Sequence, residues 1–353
     1  MQKLITFALF VFSLNVFANE VNGYNSLTNH LEKIRVENDI PAMAVAVITS
    51  GEVNYIKGFG YVDEELTKPT TEESLFRIAS ITKLFTAQAI MKLVELKKLG
   101  LNDEVGQYLP PFTKTHITIK QLLTHSSGLS DLIKPVSFDE GRTVKRYLEL
   151  VSESVPQEVS SNSFEYSDTN YNVLGAVISS VTDQSYEEFI YDNLLKPAKV
   201  RKSNFNDGNN AHFSEAPPTY KGKLIDKFDQ RPYDLAFNPS EGLVSNVHDL
   251  SQWLKLTLAN DSSILKKHTY EAMLEPQVKT PWGEIYMSLG WQVYKNENAN
   301  VARHPGSIRG YKSLVIAYPE NKNAIILLTN SSNTPRWEIA ESITETLKQN
   351  SEW

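Results

Sequence analysis

A serine and a lysine stand three residues apart in FRIASITKLFTA (76–87), Ser80 and Lys83, with apolar neighbours on both sides. In a helix beginning near Ser80, positions i and i+3 share a face, so the amine would lie one turn above the hydroxyl. Burial disfavours the charged form of an amine and lowers its pKa. Such a lysine takes the serine proton and turns a weak nucleophile into a useful one. Backbone N–H groups at the helix start would face the negative charge that then develops. The same residues also suit a helix-capping serine beside a snorkelling lysine, and the pair alone does not separate the two readings.

Two further stretches carry chemistry. FEYSDTNYNVLG (164–175) sets Tyr166 after an extended segment and directly before a helix. A phenol beside an ammonium titrates lower and can shuttle protons. RHPGSIRGYKSLVIAYP (303–319) puts His304 and Gly306 just before or on a strand. Gly306 would let a substrate approach the backbone, and the Ser307 N–H would serve as a second oxyanion donor opposite that of Ser80. Arg309 is a candidate for a substrate carboxylate. His125 in LLTHSSG reads as structural, beneath the site, and Ser126, Ser127 and His248 as loop or helix-capping residues. The aromatic residues read as core, although Trp253, Trp282 and Trp291 could line a cleft. There is no GxSxG elbow, no GxxxxGK[ST] loop and no HExxH pair.

Taken in order, Ser80-x-x-Lys83, Tyr166-x-Asp168 and His304-x-Gly306 resemble the motifs of the serine β-lactamase-like hydrolases. These include class C β-lactamases, D-alanyl-D-alanine carboxypeptidases and related esterases of peptidase family S12. LNDEVGQYLP, ITIKQLLTHSSGLSD, EGLVSNVHDL and the closing LLTN agree, and the resemblance covers about 25–350. It implies that Ser80 is the acylated nucleophile and Lys83 its base. Tyr166 would relay the proton to the leaving group and help activate the deacylating water. His304 takes the place where many members have the lysine of K-T-G, facing the substrate's carboxylate side. No metal or organic cofactor is implied.

Two departures bear on substrate. Many class C enzymes have Tyr-x-Asn, whose amide bonds an acylamino group, whereas Asp168 accepts hydrogen bonds and cannot donate. His304 in place of lysine makes positive charge conditional on pH. Both suit an ester or a peptide substrate with an amine or hydroxyl near Asp168. A class C-like β-lactamase, and a non-catalytic penicillin-binding or cell-wall-peptide receptor, stay open as alternatives, as do hydrolysis versus acyl transfer and the oligomeric state.

These residues need a scaffold, and 353 residues with 41% apolar and 22% charged side chains are ample for a globular one. With a net charge of −7 the chain lacks the basic surface of a nucleic-acid binder, and with no cysteine it has no disulfide, thiolate site or thiol nucleophile. Residues 1–18, Lys3 followed by an apolar run ending in Val16-Phe17-Ala18, read as a signal peptide, with an uncleaved anchor as the alternative. A cut there would leave an exported, soluble protein, periplasmic or secreted.

AMAVAVIT and EVNYIKGFG read as a hairpin joined by Ser50-Gly51. SLGWQVY, KSLVIAYP and NAIILLTN read as three more strands, the last two joined by Glu320-Asn321-Lys322. A final helix after Pro335 would put Trp337, Ala340, Thr344 and Leu347 on one face. Helices are expected over 80–99, stopped by Gly100, and over 171–195, with a long surface loop at 201–240. The fold implied is α+β and β-lactamase/penicillin-binding-protein transpeptidase-like: an antiparallel sheet flanked by helices, plus an inserted helical domain. Residues 19–79 with 240–353 would form the sheet domain and 80–239 the helical one.

Overall fold

The computed structural model describes residues 24–131, 143–155, 163–205, 215–226, 235–296 and 299–349. The expected leader lies outside them. Helix α1 (24–37) leads into β1 (Ala42–Thr49) and β2 (Glu52–Gly60), which form the expected hairpin about Ser50 and Gly51, both at positive φ. The chain then makes β3 (Phe76–Arg77), α2 (Thr82–Glu95), α3 (Ile119–Leu123), α4 (Val144–Glu153), α5 (Asp168–Thr182) and α6 (Tyr186–Ile190). Short pieces follow: β4 (Asn204–Phe205), β5 (Thr219–Tyr220), β6 (Lys223–Leu224), α7 (Asn238–Glu241) and β7 (Leu243–Ser245). Next come α8 (Val247–Leu258), α9 (Lys267–Leu274), β8 (Val278–Lys279), β9 (Tyr286–Met287) and β10 (Gln292–Lys295). The chain closes with β11 (Asn300–Ile308), β12 (Tyr311–Tyr318), β13 (Asn323–Thr329) and α10 (Arg336–Gln349).

Eight strands pair antiparallel in the order β2-β1-β13-β12-β11-β10-β9-β8, so the two ends of the chain meet in one sheet. Alternation sorts its residues into two layers. Met43, Val45, Val47, Leu314, Ile325 and Leu327 pack with Leu27 and Leu31 of α1 and Ile339 and Ile343 of α10. Ala42, Ala44, Ala46, Ile326 and Leu328 face the larger core, which includes α2, α5 and α8. The small alanines allow helices to approach that face closely.

Several local expectations are corrected. Helix α2 ends at Glu95, because Lys97 turns left-handed (φ 55°) and Lys98 N–H closes onto the Leu93 carbonyl (2.9 Å). Gly100 instead joins a turn held by Asp103 Oδ2 (2.6 Å). The helix expected over 171–195 starts at Asp168 and breaks at Asp183 (φ 57°). Ser185 and Glu188 then form a capping box that restarts the chain as α6. On α10 the inward face is Ile339, Ala340, Ile343 and Leu347. Trp337 lies outside it, stacked under the Arg303 guanidinium (4.3 Å). Parts of 201–240 lie outside the described residues; the remainder holds β4, the β5–β6 hairpin and α7.

Candidate active site

Ser80 sits in a one-turn 3-10 helix (Ala79–Ile81) that runs into α2. The turn is held from three sides. β3 pairs with β7, Ile78 N–H reaches the Leu243 carbonyl (3.2 Å), and Ser313 Oγ on β12 donates to the Ile78 carbonyl (2.7 Å). Ala79, directly before the serine, has φ 49°, a left-handed conformation costly for a residue with a Cβ. Nothing in the sequence announces it, since the position carries no glycine or asparagine.

Lys83 is fully buried, and its ammonium donates three hydrogen bonds: to Ser80 Oγ (3.0 Å), Asp168 Oδ1 (2.6 Å) and the Ser240 carbonyl (3.0 Å). Burial pulls its pKa down, but the Asp168 carboxylate, Tyr166 and their hydrogen bonds outweigh it, and the net shift is upward. This corrects the expectation of a lowered lysine. Asp168 opens α5, where the helix dipole favours an anion, and its own N–H is capped by the Asp131 carboxylate. Its carboxylate is thus committed to Lys83 and only slightly exposed, rather than standing free toward a substrate.

The Tyr166 ring lies against Lys83, with Nζ 5.2 Å from the ring centroid, and its hydroxyl interacts with Ser80 and Lys83. Burial raises its pKa more than the ammonium lowers it, so the phenol is neutral, again opposite to expectation. His125 holds this tyrosine from below. Its carbonyl accepts Glu165 N–H (2.8 Å), its Nδ1 accepts Ser167 N–H (3.2 Å), and its ring stacks on Tyr166 at 4.2 Å between centroids. Asn170 also donates to Nδ1 (3.2 Å), so the proton belongs on Nε2. Ser126 bonds Thr124, and Ser127 bonds Asn170 and Leu129 N–H, both buried in structural roles. His248 lies on α8 beside Asp249 (3.5 Å).

Strand β11 carries the rest. His304 is buried, and its Nδ1 donates to the Pro305 carbonyl (3.0 Å), which leaves Nε2 as an acceptor with no partner among the described residues. Burial, with the Lys83 ammonium adding to it, lowers its pKa to about 3. The imidazole is therefore neutral at physiological pH, and the expected pH-conditional cation is absent there. A Cβ on Gly306 would overlap the Ile78 carbonyl and Ser313 Oγ. The space this glycine leaves is filled by the nucleophile's own turn, where the sequence suggested room for substrate. Ser307 is exposed and its hydroxyl accepts from Lys312 (2.5 Å). Arg309 is exposed in the β11–β12 turn. Arg336, which the sequence reading missed, donates from α10 to the Gly306 carbonyl (2.5 Å). β10 leaves β11 at Arg303, so among the described residues His304–Ile308 have a strand partner only in β12.

Residues 27–346 match the Beta-lactamase family model. The chain belongs to the beta-lactamase family. It is 28% identical over 301 residues to "Protein flp" of Staphylococcus aureus (strain MRSA252), covering 82% of this chain and 60% of that one. It is 27% identical to "Penicillin-binding protein 4*" of Bacillus subtilis (strain 168), covering 84% and 69%. The chain thus spans about 60% of the length of the flp relatives. The octameric penicillin-binding protein homologue from Pyrococcus abyssi superposes with a TM-score of 0.79 at 29% identity, over 93% of this chain and 78% of that one. The D-amino acid amidase from Ochrobactrum anthropi SV3 gives 0.79 at 21%, covering 93% and 99%, a likeness of fold. These relatives bear out the α+β, penicillin-binding-protein-like architecture.

Proposed function

We propose that the chain is an exported serine hydrolase that forms an acyl-enzyme on Ser80 from an ester or amide, of D-amino-acid peptide or carboxylester type. The observation that carries this reading is the contact of 3.0 Å between Ser80 Oγ and Lys83 Nζ, on a turn held in a strained conformation. Membership of the family supports hydrolysis in general. In the amine form Lys83 takes the proton of Ser80 as Oγ attacks the acyl carbon. The tetrahedral oxyanion is received by the N–H groups of Ser80 and Ser307. Collapse breaks the bond to the leaving group, whose atom takes the Tyr166 proton while the phenol recovers one from Lys83. Water then repeats the sequence on the ester and frees Ser80.

An ester, or an amide without a free carboxylate, is favoured over an acylamino β-lactam by two features of the walls. Asp168 offers no N–H, and His304 carries no charge near neutrality. Export rests on the character of residues 1–18. Among the described residues no helix is long and apolar enough to cross a membrane.

The test is covalent labelling with a fluorophosphonate. The expected result is added mass on the peptide spanning 77–83, lost in Ser80→Ala with little change in melting temperature. Profiling against p-nitrophenyl esters, D-amino-acid amides, D-Ala-D-Ala peptides and nitrocefin then ranks the substrates. Labelling that persists in Ser80→Ala, or maps to Ser126 or Ser307, overturns the assignment.

A further inference from the structure

We propose that Phe164 and Trp282 form an aromatic subsite beside Tyr166 that takes an apolar, ring-bearing leaving group. The proposal rests on the reading of Ser80 and Tyr166 as the acyl-transfer site. Three tryptophans were candidates for a cleft, and the structure separates them. Trp253 and Trp291 are buried and stack on each other in the core. Trp282 keeps 42% of its surface exposed.

The exposed ring is held in position. Trp282 lies in the loop joining β8 to β9, and Thr280 ties that loop together. The Thr280 N–H (3.0 Å) and hydroxyl (2.8 Å) both donate to the Ile285 carbonyl, and the same hydroxyl accepts Trp282 N–H (3.3 Å). Gly283 supplies the left-handed residue (φ 77°) the loop needs, and Lys279 bridges to Glu284 (2.9 Å) across it. Trp282 meets the half-buried Phe164 edge to face at 5.0 Å and lies 6.4 Å from the Tyr166 ring. Phe164 in turn stands edge-on to His125 at 6.1 Å. One run of rings therefore leads from His125, under the phenol that faces Ser80, outward to a tryptophan open to solvent.

Leaving that much indole in water is unfavourable in the free protein, and covering it on binding returns the loss. An aromatic ring lying offset or edge-on to Phe164 and Trp282 gains specific geometry as well. The side of the substrate follows from the chemistry. Tyr166 protonates the departing atom, so the group attached to that atom lies beside Tyr166, where among the described residues Trp282, with Phe164 against it, offers an exposed aromatic face. The substrate class is thus an ester or amide whose alcohol or amine part carries an aromatic or bulky apolar group.

Benzyl and ethyl acetate test this, because their acyl groups are identical and their leaving alcohols nearly equal in basicity. The wild-type protein should prefer the benzyl ester in kcat/KM by about tenfold, the size of one aromatic contact. Trp282→Ala should lower the benzyl-to-ethyl ratio about five- to tenfold, and Trp282→Phe should restore most of it. Circular dichroism checks that each variant is folded. A ratio unchanged within about twofold in Trp282→Ala, whatever the absolute rates, overturns the subsite. If neither ester is turned over and Ser80 is not labelled, the catalytic reading fails on its own. Saturation-transfer NMR with benzyl alcohol then judges the subsite: loss of transfer in Trp282→Ala supports it, and transfer that persists overturns it.

Discussion

The two walls around Ser80 are built on opposite principles. On the helical wall every strong charge is answered. Lys83 spends its three N–H bonds on Ser80, Asp168 and the Ser240 carbonyl. On the strand wall His304 is uncharged, its Nε2 has no partner among the described residues, and β11 runs past the end of β10. The helical wall is arranged to manage protons. The strand wall keeps an acceptor and a strand edge for whatever docks. Because Lys83 and Asp168 cancel and His304 is neutral, the residues nearest the nucleophile present little net charge, which suits an uncharged acyl group better than an anion.

The strongest way to break this contrast is to keep the charge of the helical wall while removing its ability to give up a proton. Lys83→Arg does so. If proton transfer is what that wall supplies, kcat/KM should fall at least about a hundredfold. Steady-state rates on the best ester from the substrate profile provide the check. A variant within a few-fold of wild type would mean that only a cation is needed there.

Asp168→Asn sharpens the contrast through pH. With Asp168 in place Lys83 is held above its ordinary value of 10.5, so the amine form grows only at alkaline pH and kcat/KM should climb through that range. Without the carboxylate, burial dominates and lowers the lysine, so the acidic limb should move to lower pH. Stability should respond with its own sign. In the wild type the contribution of Lys83 is present below pH 10.5 and is lost as pH rises through the elevated folded value. In the variant the unfolded chain binds the extra proton, so stability should increase with pH up to about 10.5. At neutral pH the buried ammonium without its partner should cost about 3–5 kcal/mol, less where it sheds the proton. Melting curves from pH 6 to 10 decide it. Parallel curves for wild type and variant would mean that the pair is not coupled.

Much of the fold and of the site is legible in the sequence. The order of the three motifs implied the fold, and the β-rich runs at both ends gave β1, β2, β12 and β13, whereas β11, which carries His304 and Gly306, was legible only as a stretch before or on a strand. What the sequence could not carry was partnership across distance. Asp168 reads as a substrate contact from its place beside Tyr166, and only the fold brings Lys83 to it from 85 residues away. The signs of the Lys83 and Tyr166 shifts failed for that reason, since each is a contest between burial and a neighbour. Helix ends failed differently. Lys97 and Asp183 adopt left-handed turns that composition assigns to glycine or asparagine. Trp282 carried a faint signal in TPWGE, a turn-like stretch with an aromatic residue at its centre.

The smallest expected effect tests how the helical wall is propped. His125 offers Tyr166 and its neighbours two separable supports, an acceptor at Nδ1 and a flat ring face. His125→Phe keeps the ring and removes the acceptor, leaving Ser167 N–H and one Asn170 donor buried and unsatisfied. That should cost about 1–3 kcal/mol of stability. His125→Asn keeps an acceptor of similar reach and removes the stacked face. The phenol then loses its floor, and kcat should fall about three- to tenfold with KM little changed, since an aromatic pair is worth about 0.5–1.5 kcal/mol. Burial holds the imidazole neutral, so the wild-type profile should show no limb from His125 near its ordinary value of 6.5. If both variants lose stability alike and neither alters kcat once folded, His125 supports the loop alone and Tyr166 is held by Lys83 and Ser80.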